Sequence, residues 1–476
     1  MAEPVTVLVA NRGEIAVRVV RAVRELGHVA AVVVSDADRD SLAARLADQV
    51  VVLPGTASKD TYLDGAAVVA AALGVGASAI HPGYGFLSEN AEFARSVVAA
   101  GLVWVGPSPD VIAVMGDKAT ALQQARAAGV PTVPGSDGVV PDVVTATAVA
   151  ETIGFPVAIK AAAGGGGRGI RVVDSAAELA AQWDVTAAEA LGAFGDGRLY
   201  LEKFIRRARH VEVQVFGDGH RFVHLHDRDC SLQRRHQKLV EEGPAPGLPD
   251  ATRADLHESA RRLAAEIGYV GAGTVEYLYD AEADSFHFIE MNTRIQVEHP
   301  VTEELLGVDL VQEQLAVALG APLSFDQEDL VPRGHVLELR INAENPLMSF
   351  FPSPGTLTAL TWPSGPGVRV DPGVTAGDTI SPYYDSMIGK LVVRAADRAG
   401  AIARARRALA ELELAGVQST AGFVGAALAD PVFGAAEHHT KHLEEQLDVL
   451  VAGLSSSSGG PGWSVAEPAS ERTVDA

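Results

Sequence analysis

The alternation in the first hundred residues restricts this chain more than any other feature. Residues 5–10, VTVLVA, are an apolar run of the kind that suits a buried parallel strand. NRGEIAVRVVRAVREL follows, with Ile15, Val19, Val20, Val23 and Leu26 at helical spacing and Gly27 closing it. VAAVVVS is the next strand, and the rhythm continues through ASAIHPG and GLVWVGPS to about Ser108. Strand, helix and parallel strand in sequence predict a doubly wound α/β domain. The first turn lacks Gly-x-Gly-x-x-Gly, so nothing there supports dinucleotide binding.

From Asp117 the pattern changes to α+β, with the short strand-like runs PVAIK, GIRVV, RLYLEKFI, HVEVQVFGD and FVHLHDRD between helices. After about Leu330 a third region opens with HVLELRINAEN, rich in Gly/Pro turns and capped by the alanine-rich RAGAIARARRALAEL. The expected division is 1–115, 116–330, 331–446, and a flexible tail or linker over 447–476. A length of 476 residues suits such a count. The formal net charge of −23 disfavours nucleic acid as a partner, because phosphate is repelled. One cysteine, Cys230, allows no intrachain disulfide and fits a cytoplasmic setting. The N-terminus reads as a first strand and not a signal peptide, and no apolar run reaches the roughly 18 residues of a membrane span.

Chemistry concentrates in a few stretches. IEMNTRIQVEHP, if extended, turns Glu290, Asn292, Arg294, Gln296 and Glu298 to one face. GTVEYLYD and SFHFIEMN read as a hairpin centred on Ala283, which sets Glu276 across from Glu290. Like charges facing each other are unfavourable, and a Mg²⁺ ion held by both acids and the Asn292 amide resolves the conflict. A register slip of one residue on a plain solvated face fits the spacing too. Arg294 offers a planar fork to a small anion, Gln296 can orient it and Glu298 can take a proton; a surface ion pair is the plainer reading.

VAIKAAAGGGGRGIRVV places Lys160 at a strand end before four glycines, Gly164 to Gly167, which suits backbone wrapping of phosphates or a bare surface hairpin. Walker A and kinase signatures both fail. RDCSLQRRHQKLVEEGPAP carries Arg228, Arg234, Arg235, His236 and Lys238, an anion-facing patch on an acidic chain. At least one of its arginines is expected to pair with Asp227, Asp229, Glu241 or Glu242. Cys230 reads as packing. In HVLELRIN, Glu338, Arg340 and Asn342 share a face; Arg340 can meet an oxyanion or pair with Glu338. Lys118 opens a helix as a phosphate contact or a solvated lysine. His81 and Tyr84 sit on a strand-to-helix loop that suits a ligand or only a tight turn.

Taken together, ANRGEIAVRV, HPGYGFLSEN, MGDKATA, GGGGRGIRVV, RDCSLQRRHQK, IEMNTRIQVEHPVTE and PYYDSMIGKL, in this order, resemble the biotin carboxylase component of biotin-dependent carboxylases, an ATP-grasp family that includes the acetyl-/propionyl-CoA carboxylase subunits. The likeness runs from about Val5 to about Leu443. It implies a wound N-terminal domain, an ATP-grasp domain with a mobile glycine-rich lid over about 133–205, and a β-rich C-terminal domain. It further implies that Lys118, Lys160, Gly166, Gly167, His210 and His236 contact ATP, with Glu202, Lys203, Phe204 and Ile205 beside the adenine. Glu276, Glu290 and Asn292 match metal ligands for Mg²⁺ or Mn²⁺. Lys238, Arg294, Gln296 and Val297 match a bicarbonate site, Glu298 a general base, and Arg340 the residue facing the biotin ureido oxygen. Ala162 and Ala163 stand where related sequences usually carry a serine and a glycine.

The implied reaction is ATP- and Mg-dependent carboxylation of biotin with bicarbonate through carboxyphosphate, the first half-reaction of an acyl-CoA carboxylase. None of the five methionines precedes a lysine, so the biotinyl lysine is expected on a separate carrier protein or domain. The other expected partners are further copies of this chain, in a homodimer or larger assembly, and a carboxyltransferase. The competing readings are an ATP-grasp carboxylate–amine or carbamoyl-phosphate-type ligase, and a catalytically silent nucleotide-binding scaffold.

Overall fold

The computed structural model describes residues 3–162, 170–235 and 237–456. A five-stranded parallel sheet opens it, in the order Gln49–Leu53, Val29–Ser35, Thr6–Val9, Ala79–His81, Val103–Trp104. Its strands are buried on both faces. Val7, Val9, Val32 and Val34 enter one apolar cluster with helix Gly13–Glu25, while Leu8, Ala31, Val33 and Ile80 enter another with Phe93 and Val97. That two-sided burial is why these strands read as unbroken apolar runs.

An eight-stranded sheet follows, in the order Ser285–Asn292, Val270–Asp280, Ala208–Asp218, Phe222–Arg234, Gln237–Gly243, His335–Asn342, Met387–Ala395, Val368–Pro372. It crosses the boundary expected at 330, because His335–Asn342 pairs antiparallel with Gln237–Gly243. Leu337, Leu339 and Ile341 point into a core with helix Arg398–Glu411 and with Phe423 and Phe433. Glu338, Arg340 and Asn342 therefore take the opposite face, as the alternation predicts.

The chain divides into two compact units. One comprises 1–129, 209–277 and 290–476; the other comprises 130–208 and 278–289. The smaller unit holds the antiparallel sheet Ile170–Val173, Val157–Ala161, Leu199–Lys203, packed by helices Val143–Ile153 and Ala176–Phe194. The tail expected over 447–476 begins differently: Leu447–Ser456 is a helix whose Leu450 joins the C-terminal core with Val451 and Leu454. Apolar residues three and four apart outweighed the serine-rich stretch that follows them. Among the described residues no helix is long and apolar enough to cross a membrane.

Candidate functional site

One charged cluster is built on the polar face of the eight-stranded sheet. Glu212 and Arg228 are cross-strand partners, and their side chains pair at 2.7 Å with both fully buried. The same guanidinium donates to Gln214 Oε1 (2.8 Å), Thr302 Oγ1 (2.7 Å) and Gln296 Oε1 (2.6 Å). The sequence placed Arg228 on an anion-facing patch; it is instead an internal strut. It is paired, as a buried cation must be, but with Glu212 and not with the acids next to it in sequence. Glu212 sits on the neighbouring strand, outside the reach of a local reading.

Lys238 Nζ lies 2.7 Å from Glu212, 3.2 Å from Glu276 and 2.6 Å from Glu298. Glu276 Oε1 also accepts from Asn292 Nδ2 (2.9 Å) and Gln296 Nε2 (2.8 Å). Its Oε2 stands 3.2 Å from His210 Nε2. Burial works against ionising Glu276, but Lys238 and His210 outweigh it and hold the carboxyl well below the usual range. His210 moves the opposite way: burial lowers it, yet the charge of Glu276, with help from Glu212, lifts it to about 9.

Glu290, the second acid of the hairpin, is raised by desolvation and by the charge of Glu276, with Lys118 opposing. No ion pair within 4.0 Å reaches Glu290 among the described residues. The two acids that spacing set against each other thus do feel each other, and only one of them is neutralised by protein cations. The oxygen of Asn292 completes a set of hard donors. That set suits Mg²⁺ and not a thiophilic metal.

The extended reading of IEMNTRIQVEHP fails beyond Asn292, where the strand ends. Residues 293–298 turn, and Glu298 immediately precedes helix His299–Leu306, whose first turn holds Pro300. Alternation therefore cannot be what gathers these side chains. The turn gathers them: Gln296 reaches Glu276, and Glu298 accepts from Lys238 and from Arg340 Nη2 (2.9 Å). Arg294 donates to Glu89 Oε2 (2.8 Å) and Asn292 Oδ1 (2.6 Å). Glu89, in HPGYGFLSEN, was missed as a partner because nothing local marks it. Val297 contributes its carbonyl oxygen, which accepts from Lys390 Nζ at 2.7 Å.

Arg340 donates from Nε to Glu241 at 2.6 Å, so its partners are Glu241 and Glu298 and not Glu338. Glu338 faces Glu241 across the strand pair, is fully buried, and has no hydrogen-bond partner on either oxygen among the described residues. Burial first, then the charges of Glu241 and Glu298, push its carboxyl well above the ordinary value. Glu298 moves down to about 2: burial opposes this, but Lys238 and Arg340 outweigh it.

His81 and Tyr84 serve the turn. His81 is fully buried, with Nδ1 accepting from the N–H of Gly83, and the Tyr84 hydroxyl donates to Glu14. Gly83 has φ +62°, and a Cβ there would lie 2.8 Å from the Asn11 amide. Cys230 is buried, and burial raises its thiol far above the reactive range, in keeping with packing. Lys118 is exposed at the start of helix Lys118–Ala127. Within the smaller unit Lys160 pairs with Glu202, and Lys203 Nζ donates to the carbonyls of Gly154 and Phe155, each at 3.0 Å. Phe204 and Ile205 follow the end of that strand. Gly166, Gly167 and His236 lie outside the described residues.

Comparison with known proteins matches the same layout. Residues 4–112 match the model of the biotin carboxylase N-terminal domain and 338–445 that of the biotin carboxylase C-terminal domain. Residues 117–325 match the ATP-binding domain of the carbamoyl-phosphate synthase L chain. The biotin carboxylase of Pseudomonas aeruginosa is 50% identical over 443 residues, 93% of this chain and 98% of that protein. Biotin carboxylase 1 of Bacillus subtilis is 48% identical over 438 residues, 92% of this chain and 97% of its own. The dimeric biotin carboxylase domain of Hydrogenobacter thermophilus 2-oxoglutarate carboxylase, solved with MgADP, ADP and bicarbonate, superposes with a TM-score of 0.84. It is 46% identical, with 94% of this chain and 98% of that one covered.

Proposed function

The chain belongs to the biotin carboxylase family, and from that premise we propose that it carboxylates carrier-bound biotin with bicarbonate, using ATP and Mg²⁺, as the first half-reaction of an acyl-CoA carboxylase. One observation carries the reading. Lys238 and Arg340 converge on Glu298, while Glu290 feels the charge of Glu276 and meets no protein cation within 4.0 Å among the described residues. Anionic substrates need the cations, proton transfer needs Glu298, and a phosphate-bound cation needs the remaining acids.

Glu276, Glu290 and Asn292 are the residues to hold Mg²⁺, which when bound screens the terminal phosphates of ATP. In the larger unit Lys118 and the charged His210 contact phosphate. In the smaller unit nucleotide contacts fall to Lys160 and to Glu202, Lys203, Phe204 and Ile205. Lys238, Arg294, Gln296 and the Val297 backbone bind bicarbonate. Glu298 takes the bicarbonate proton, and the freed oxygen attacks the γ-phosphorus, releasing ADP and forming carboxyphosphate. Carboxyphosphate splits into CO₂ and phosphate; phosphate removes the N1′ proton of biotin, and N1′ bonds to CO₂. Arg340 faces the ureido oxygen as negative charge develops there.

At about 2, resting Glu298 is a weak base. The cause is two cations donating to it. When Arg340 turns to the ureido oxygen, Glu298 loses one of them and gains proton affinity, so biotin binding itself strengthens the base.

A carrier protein or domain, a carboxyltransferase and a second copy of this chain are the partners this reading calls for. The test is ADP release with ATP, Mg²⁺, bicarbonate and free biotin, each omitted in turn. Turnover that rises with biotin and collapses without bicarbonate is expected. Turnover indifferent to biotin but stimulated by an amine supports a carboxylate–amine ligase instead, and silence under all conditions supports a scaffold. Glu290→Gln is expected to raise the Mg²⁺ concentration for half-maximal rate by about tenfold or more; an unchanged requirement removes Glu290 from the ligand set.

A further inference from the structure

Three imidazoles meet among residues to which the reaction assigns no role. His224 and His226 lie on strand Phe222–Arg234 and His257 on helix Asp250–Glu266. One ring nitrogen from each lies within 4.8 Å of the other two. Ring centroids are 4.4 Å apart for His224–His257, 5.1 Å for His226–His257 and 5.4 Å for His224–His226.

The backbone departs from a regular strand here. Its register with Ala208–Asp218 shifts between His224 and Asp227, and His226 adopts φ +62°. A bulge re-aims side chains, and a non-glycine residue in that region costs of order 1 kcal/mol or more. Hydrogen bonds then orient the rings. His226 Nε2 donates to the Leu330 carbonyl at 2.8 Å, and His257 Nε2 donates to Asp227 Oδ1 at 2.6 Å. A carbonyl can only accept, so the His226 proton sits on Nε2 and its Nδ1 keeps a lone pair. Asp227 is itself fixed by Arg253 at 2.6 Å. His224 Nδ1 is buried with no hydrogen-bond partner among the described residues.

This is how metal-binding histidines are prepared: the far nitrogen is anchored on a carboxylate or a backbone carbonyl, and the near one is left free. The groups whose charge reaches His224 and His226 are His257, Asp227, Arg253 and Glu258.

We propose that His224, His226 and His257 form a binding site for a zinc-class divalent transition metal, separate from the oxygen-donor set at Glu276 and Glu290. Zinc–nitrogen bonds of about 2.0–2.1 Å bring tetrahedral ligands to about 3.4 Å from each other. The trio's nitrogens, within 4.8 Å of one another, reach this by closing at most about 1.4 Å. The ion ties helix Asp250–Glu266 to the bulged strand.

The full chain, stripped with a chelator, is titrated with Zn²⁺ against a chromophoric competitor and separately with Co²⁺ while the visible spectrum is followed. One Zn²⁺ per chain and intense low-symmetry Co²⁺ bands are expected. His224→Gln and His226→Asn, the latter tolerant of positive φ, are each expected to weaken Zn²⁺ binding by about tenfold or more. Biotin-dependent ADP release in zinc-free buffer is expected to stay within about twofold in both, which also reports their folding. His210→Gln separates the alternative cluster of His210, Glu212 and Glu276. Zinc binding that survives both strand variants but disappears in His210→Gln overturns the assignment, as does a wild-type chain without saturable binding. If one variant fails to fold, the other and the wild-type Co²⁺ spectrum decide; a pale all-oxygen spectrum counts against the site.

Discussion

Arg340 faces more negative charge than it can neutralise. It donates to Glu241 and Glu298, and Glu338, two residues before it on the strand, shares its polar face. A proton kept on Glu338 relieves the excess. Glu338→Gln is therefore expected to shift the unfolding midpoint and the turnover number little, because a neutral group replaces a neutral group; a large loss of either shows that Glu338 works ionised. Arg340→Ala is expected to cut kcat/KM for biotin by about 10²–10³ while ATP affinity stays within a few-fold. Equal losses in both remove the ureido role. Arg228→Met leaves Glu212 to Lys238 alone and strips Gln214, Thr302 and Gln296 of a donor, and is expected to cost about 3 kcal/mol in urea unfolding. Sequence spacing could not place Arg228, since its partner belongs to another strand. The acids Glu276 and Glu290 were legible because a hairpin converts sequence separation directly into proximity. Glu89 and Glu241 were not, because each depends on where distant segments pack.

Elements were easier to read than the turns between them. The first helix and most strands follow from periodicity, since burial imposes it. The stretch after Asn292 misled because polar residues at every second position mimic a strand, while Pro300 sits in the first turn of a helix that begins at His299. The bulge at His226 was invisible for the same reason: irregular backbone leaves no period. Local caps support the elements that carry the site. Asn90 caps helix Ala91–Ala99, accepting from the Phe93 N–H at 2.9 Å, next to the Glu89 that anchors Arg294. Asn90→Ala is expected to lower stability by about 1 kcal/mol and to raise KM for bicarbonate, read from denaturation curves and initial rates.

Across the larger unit, a buried ionic chain joins segments far apart in sequence. Arg18 and Arg369 both pair with Glu303 at 2.8 Å, and Arg369 pairs with Asp371 at 2.9 Å. Burial would raise Asp371, but Arg369 and Lys390 outweigh it and bring the carboxyl to about 2. A lowered value stabilises the fold above the unfolded-state pKa of about 3.8, and that contribution fades as pH falls through about 2. It amounts to about 2 kcal/mol. Asp371→Asn is expected to flatten the fall of the urea midpoint between about pH 4 and pH 2; an unchanged slope assigns acid sensitivity to other carboxylates.

The pairing of Gln237–Gly243 with His335–Asn342 limits how this gene can be cut. A recombinant fragment stopped at residue 330 strands Gln237–Gly243 with bare amides and carbonyls along one side, an open template for self-association. The complementary fragment keeps His335–Asn342 paired with Met387–Ala395 but bares the other edge of His335–Asn342. Domain shuffling at that seam, however natural it looks on a family map, is expected to yield halves that aggregate, whereas co-expressing both pieces gives each edge its missing neighbour.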